Sequence, residues 1–344
     1  MKRSQFSLAV ALCLSLVAVA VNQRLAADAT GEKGFQLKLL KTIPLGGEGK
    51  WDYLLVDPDA RRLYLPRTTH VQVVDLDKGV VIGDIPKISA KGAHGVALAP
   101  ERNLGFISAG KDNCVIAFDI KTLKVTATIK TGANPDAILY DSASKHIFAM
   151  NHTGGDITVI DPAALDKTVT IPVGGKLEFA VTDGAGHVFV CVEDKNEIVQ
   201  IDSKANRVLA RWPLSPGDAP TGLAIDLAHH RLFAGCLNQK LVVLDSKTGK
   251  VLATPAIGQG VDGVVYEPTL EVAMSANGKD GTVSVVKETS AGKFETIQTV
   301  KTLIGAKTIT LDAKTHQALL PCNVPDGKGG QTFGIAVVGA ERAK

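Results

Sequence analysis

Three carboxylates and an imidazole recur at one spacing in this chain. Asp52, His94, Asp136 and Glu178 follow one another at steps of 42 residues. Carboxylate oxygens and an imidazole nitrogen are donors that hold divalent cations, and the same set can orient a polar ligand. The series continues through Thr221, Asp262 and Lys307, at steps of 43, 41 and 45. Every member is polar or charged, although positions just beyond them (Leu54, Val96, Ile138, Leu223, Val264, Ile309) are apolar. In the fourth copy the turn is one residue shorter, so Leu177 is the alternative to Glu178. The cofactor these residues point to is a divalent cation on Asp52, His94, Asp136 and Glu178. The plainer reading is a set of solvated strand ends in which Lys307 pairs off part of the charge.

A spacing near 42 acquires meaning from the elements that carry it. Tyr64, Phe106, Phe148, Phe189 and Phe233 lie 42, 42, 41 and 44 residues apart, each within a short apolar run that reads as a strand. A second series, Asp75, Asp119, Asp161, Asp202 and Asp245, closes further strands at steps of 44, 42, 41 and 43. In the first copy, Tyr53–Val56, Arg62–Leu65, Val71–Asp75 and Val80–Ile85 read as four strands, joined by turns such as Asp57-Pro-Asp and Asp75-Leu-Asp-Lys-Gly79. A fixed period of this size built only from strands and turns predicts an all-β propeller of four-stranded antiparallel blades. Equivalent positions in its blades form a circle, which turns seven distant polar residues into one ring at a channel mouth.

The run from Phe233 through Val-Val-Leu-Asp245 into Ser-Lys-Thr-Gly-Lys-Val251 resembles the YVTN-type β-propeller repeat family of bacterial secreted proteins. The resemblance spans essentially all of the chain after the leader. It implies a functionally mixed family of binding propellers, and its repeat motif is structural. Copies six and seven depart from the pattern, with Ala273 and Leu319 near the aromatic position. The seventh copy stops after Phe333–Val338, and Phe35–Ile43 reads as the missing outer strand. Joining the two termini in one sheet closes a seven-bladed ring and hides both edges.

Loops after the second strands share a face with the ring. They bring Asn151 and His152, and Trp51 offers an aromatic wall. His229 and His230 fall on the opposite face and read as solvated turn residues. Cys114, Cys191, Cys236 and Cys322 match no zinc or haem spacing and read as buried thiols.

Residues 1–27 read as a secretory signal peptide, with Lys2 and Arg3 before an apolar run from Phe6 to Val21. Periplasmic or extracellular location and a single propeller domain over 28–344 follow as expectations, with no membrane span in the mature chain. The leader holds the net charge of +3, leaving 35 of the 38 Lys and Arg against all 35 Asp and Glu. That balance argues against specific nucleic-acid binding. The expected function is binding of a partner protein, a glycan or another polar small molecule by a monomer. The alternatives are a metal-assisted lactonase-type hydrolase and an accessory subunit in periplasmic electron transfer.

Overall fold

The computed structural model of the protein describes residues 35–47, 49–86 and 92–340. Within them lie seven four-stranded antiparallel sheets, one per repeat. The expected leader, 1–27, lies outside the described residues. In the first blade the strands are Leu55–Asp57, Arg62–Pro66, Val71–Asp75 and Val80–Ile85, so the inner strand begins two residues later than Tyr53. No helix among the described residues is long and apolar enough to cross a membrane.

The repeated aromatics are the seams between blades. Tyr64, Phe106, Phe148, Phe189 and Phe233 are all buried. Tyr64 of the first blade, for example, meets Phe118 of the second with ring centroids 5.9 Å apart, amid Val73, Val96 and Ile107. Each such side chain contributes about 1.5–3 kcal/mol by leaving water. In the sixth copy the strand pairing places Met274, also buried, at the position of Tyr64 and Phe233, and Ala273 beside it packs with Phe294 of the outer strand, which meets Phe233 edge-on at 6.1 Å.

The repeated acids are turn caps. Asp75 Oδ1 accepts the backbone N–H groups of Asp77 and Lys78 at 3.1 and 2.9 Å, and Asp245 Oδ1 accepts those of Lys247 and Thr248 at 3.0 and 2.9 Å. The acid supplies acceptors for donors that the tight turn leaves outside the sheet ladder.

The ring closes as the two ends of the sequence predict. Leu37–Pro44 pairs antiparallel with the last strand, Gln331–Ala340, from Leu37 opposite Ala340 to Pro44 opposite Gly334. A buried cation locks this seam. Arg67 is fully buried, donates from Nη1 to Gly46 O and Gln72 Oε1 at 3.1 and 3.0 Å, and from Nη2 to Gly47 O and Gly49 O at 3.2 and 3.1 Å. Its guanidinium carbon lies 3.4 Å from the centre of the Phe333 ring in the last blade. On the other face Arg61 makes a two-pronged ion pair with Asp312 of the last blade, at 2.8 and 2.9 Å.

Around the axis the inner strands approach so closely that there is no room for side chains between some of them. A Cβ on Gly222 would lie 3.0 Å from the backbone of Gly263, and one on Gly263 would lie 2.9 Å from the Ile309 nitrogen. Side chains at the tops of these strands therefore converge at short range.

Candidate functional site

The ring positions share a local irregularity. In five blades the register of the inner strand shifts where the polar residue sits: between Ala93 and Val96, Pro135 and Ile138, Leu177 and Ala180, Pro220 and Gly222, and Val261 and Gly263. A bulge re-aims the side chain it carries. Here those side chains are His94, Asp136, Glu178, Thr221 and Asp262. The bulge also settles the fourth copy: Leu177 packs in the core and Glu178 takes the ring position.

Blades one to four bring three carboxylates and two imidazoles together. His94 Nδ1 lies 2.7 Å from Asp52 Oδ2 and 3.3 Å from Asp136 Oδ1. His152 Nδ1, from the loop after the second strand of the third blade, lies 3.0 Å from Glu178 Oε1 and 3.2 Å from Leu177 O. Two triads result, Asp52–His94–Asp136 and Asp136–His152–Glu178, each with donor atoms within 4.8 Å of one another and with Asp136 common to both. The nearer partner of His94 Nδ1 is Asp52, and Oδ1 of Asp136 is shielded from solvent without a hydrogen bond.

On the other side of the mouth Lys307 Nζ donates to Asp262. This matches the expectation that Lys307 cancels part of the charge, but only one of the four carboxylates is neutralised this way.

Three expected members have other tasks. Thr221 Oγ1 donates to Val261 O at 2.9 Å, which ties the inner strands of blades five and six. Asn151 is buried, with Nδ2 on Asp156 Oδ1 and Thr158 Oγ1, and Asn277 repeats the arrangement on Thr282 and Ser284. Trp51 stacks on Phe333, with centroids 5.5 Å apart, and joins the core between the last and first blades. Spacing placed these residues near the mouth but could not show that the Thr221 hydroxyl and the Asn151 Nδ2 group already have partners, whereas the buried Asn151 Oδ1 has none. His229 also differs from a simply solvated turn residue: its Nδ1 pairs with Asp226 Oδ2 at 2.7 Å.

Three residues escaped the sequence reading. Tyr53 looked like strand core, yet its hydroxyl donates to Glu178 Oε2 at 3.1 Å while its ring packs on Phe179. Ser108, a polar residue in an otherwise apolar second strand, accepts the Gly95 N–H at 2.9 Å and donates to Asp136 O, coupling the His94 and Asp136 backbones. Gly110 makes room for the imidazole: a Cβ there would lie 2.8 Å from His94 Nε2. A Ser breaking an apolar run was the one visible signal.

Below Tyr53 the channel turns apolar. A cavity of about 560 Å³ is lined there by Leu55, Val96, Ile138, Leu139 and Phe179 among others. Apolar side chains thus back the acidic cluster on that side, while the cavity itself runs on to the Asp57–Ala60 turn of the other face.

Burial, then the negative field of Asp52, raises the Asp136 carboxyl well above the ordinary carboxylate range. Burial also raises Asp262, although Lys307 opposes it. For His94 burial alone favours the neutral ring, but the hydrogen bond to Asp52 and the charge of Asp136 outweigh it and the net shift is upward. His152 is raised by its bond to Glu178. All four bind protons more tightly in the folded protein, so their stabilisation is present at low pH and is lost as pH rises through neutrality. Caps such as Asp119 and Asp245 are shifted down, the former chiefly by the Thr122 N–H, the latter by hydrogen bonds from Thr248 and Lys247 that overcome burial. Their contribution is present above about pH 4 and is lost on further acidification. The melting temperature is therefore expected to peak at mildly acidic pH, about 4.5–6, and to fall on both sides. A melting temperature that climbs steadily from pH 5 to pH 8 contradicts this assignment.

No protein-family model matches the chain. Two relatives described as uncharacterized protein YncE are similar in sequence. The one from Salmonella typhi is 25% identical over 222 residues, covering 59% of this chain and 62% of its own length. The one from Salmonella typhimurium is 28% identical over 220 residues, covering 59% of this chain and 56% of its own. The match thus spans less than two thirds of either relative. Among solved structures, the RRP9 WD40 repeats superpose with a TM-score of 0.75 at 7% identity, covering 89% of this chain and all of that one. U3-55K superposes with a TM-score of 0.72, also at 7% identity, covering 86% and 97%. Both structural likenesses concern the fold alone. The seven blades and the YncE-like sequence similarity together fit a propeller repeat family.

Proposed function

We propose that this protein is a binding propeller whose channel mouth receives a cationic or hydrogen-bond-donating group of a small ligand or partner. The observation that supports it is the imbalance at the mouth: Asp52, Asp136, Glu178 and Asp262 converge there, and only Asp262 has a lysine. A fold does not gather carboxylates over an apolar floor for stability, since each raises the cost of ionising the next. The leader-like residues 1–27 support action outside the cytoplasm, by a YVTN-type secreted propeller. The experiment is a thermal-shift and calorimetric screen of the purified protein against polyamines, lysine-rich peptides, amino sugars and divalent cations, with anions as controls. At least one cationic probe is expected to raise the melting temperature of the wild-type protein and to lose that effect in Asp52→Asn/Glu178→Gln. Stabilisation by anions alone, or by cations equally well in the double variant, overturns the reading.

A further inference from the structure

We infer that the Asp52–His94–Asp136 triad is a binding site for one divalent transition-metal ion, an inference that rests on the mouth being a cation site. Three observations converge on it. First, the donor atoms already stand 2.7 and 3.3 Å from His94 Nδ1. An ion about 2.1 Å from each of its ligands sets them about 3.0–3.4 Å apart in octahedral or tetrahedral geometry, which the Asp136 separation already meets and the Asp52 separation reaches once the ion replaces the hydrogen bond and parts the pair by a few tenths of an ångström. Second, Asp136 Oδ1, the oxygen that faces His94, is shielded from solvent and accepts no hydrogen bond. A buried carboxylate oxygen without a donor is costly in the empty protein, and a metal ion is the partner it lacks. Third, the donor set mixes imidazole nitrogen with carboxylate oxygen. That favours zinc, manganese, cobalt or nickel over calcium or magnesium, whose sites are built from oxygen alone.

The neighbouring triad is less available. Glu178 already accepts from the Tyr53 hydroxyl, and His152 Nδ1 is shared between Glu178 and Leu177 O. Its role is to hold Asp136 from the far side. Gly110 and Ser108 belong to the same support: the first leaves space for the His94 ring, and the second fixes the Asp136 backbone. Three protein ligands leave the remaining coordination positions open toward the mouth, for water or for a donor atom of a bound molecule.

The test is calorimetric titration of the chelator-treated protein with zinc and with manganese, together with the visible absorption spectrum of the cobalt-loaded form. One ion per chain is expected, with a cobalt spectrum that reports nitrogen and oxygen ligation. His94→Gln and Asp136→Asn are each expected to weaken binding more than about tenfold, His152→Gln by less than about threefold, and His229→Gln on the opposite face not at all. No binding of any of these ions overturns the inference, as does affinity that depends on His152 and not on His94. If polyamines or basic peptides still bind at the mouth while no metal does, the metal site is wrong and the broader reading of the mouth stands. If neither binds, both fall.

Discussion

Asp136→Asn is expected to melt a few degrees above the wild-type protein at pH 7 to 8 in the absence of ligand, while losing cation binding. The side chain is mostly buried, it faces Asp52 across His94, and one of its oxygens has no hydrogen-bond partner. Burial and the Asp52 charge push its carboxyl up to about 8, so near neutrality the folded protein must bind a proton that the unfolded chain does not hold, or bear the buried charge. An amide of the same shape removes that charge, and its NH₂ group can donate toward the surrounding carboxylates. A gain on the order of 1–2 kcal/mol follows, which for a chain of this size is about 2–3 °C. The gain should shrink as pH falls toward 5, because the proton that the folded carboxyl binds costs less to take up as pH approaches the ordinary carboxylate range. Differential scanning calorimetry of both proteins at pH 5 and pH 8 measures this. A variant that melts lower at pH 8 would show that Asp136 holds the fold together and that the mouth is an ordinary polar rim.

Arg67→Ala is expected to cause the largest loss of stability of any single polar substitution at the closing seam. The guanidinium joins three carbonyls of the linker after the first strand to Gln72 and to the face of Phe333. Burial pushes it down to about 10, which leaves it charged at neutral pH. Among the described residues no carboxylate pairs with it directly: the charge of Asp84 acts on it from a distance, and its donors are met by backbone carbonyls, by Gln72 and by the aromatic ring. Removing it strands several buried acceptors at once, at a cost of roughly 3–5 kcal/mol. The corresponding fall in melting temperature is on the order of 10 °C. Arg67→Lys should recover less than half of this, because one ammonium cannot span acceptors arranged for a planar fork. Chemical denaturation of the three proteins compares them directly. Equal stability of the Lys variant and the wild type would mean that the fork geometry contributes nothing.

These two residues show what the sequence could and could not reveal. The aromatics at Tyr64 through Phe233 and the caps at Asp75 through Asp245 repeat because each blade must fill the same seam and close the same turn, so they were legible. The ring from Asp52 to Lys307 was legible for the same reason, since the polar strand entry recurs in every blade and in five of them the same bulge aims its side chain. Arg67 occurs once, at the only seam where the two chain ends meet, and periodicity says nothing about singular positions. Tyr53 was hidden because a tyrosine satisfies an apolar pattern with its ring and a polar network with its hydroxyl. Asn151 and Thr221 show another side of this: their types suit a binding site, and the neighbouring strands take the Thr221 hydroxyl and the Asn151 Nδ2 group but leave Asn151 Oδ1 without a partner. Which polar atoms remain free is a three-dimensional property, and Asp136 Oδ1 is the clearest case.

The central claim is that the channel mouth, and not the opposite face, is where this propeller binds. Five of its eight histidines serve that purpose. His94 and His152 stand among the mouth carboxylates, whereas His187, His229 and His316 pair with the turn acids Asp183, Asp226 and Glu267. The most direct measurement is the NMR spectrum of protein carrying ¹³C at the histidine Cε1 positions, titrated with zinc and, separately, with spermidine. The account predicts saturable shifts of the His94 and His152 signals at probe concentrations that leave His187, His229 and His316 unmoved. Shifts confined to the three turn histidines, or no shift at His94 with either probe, would contradict it.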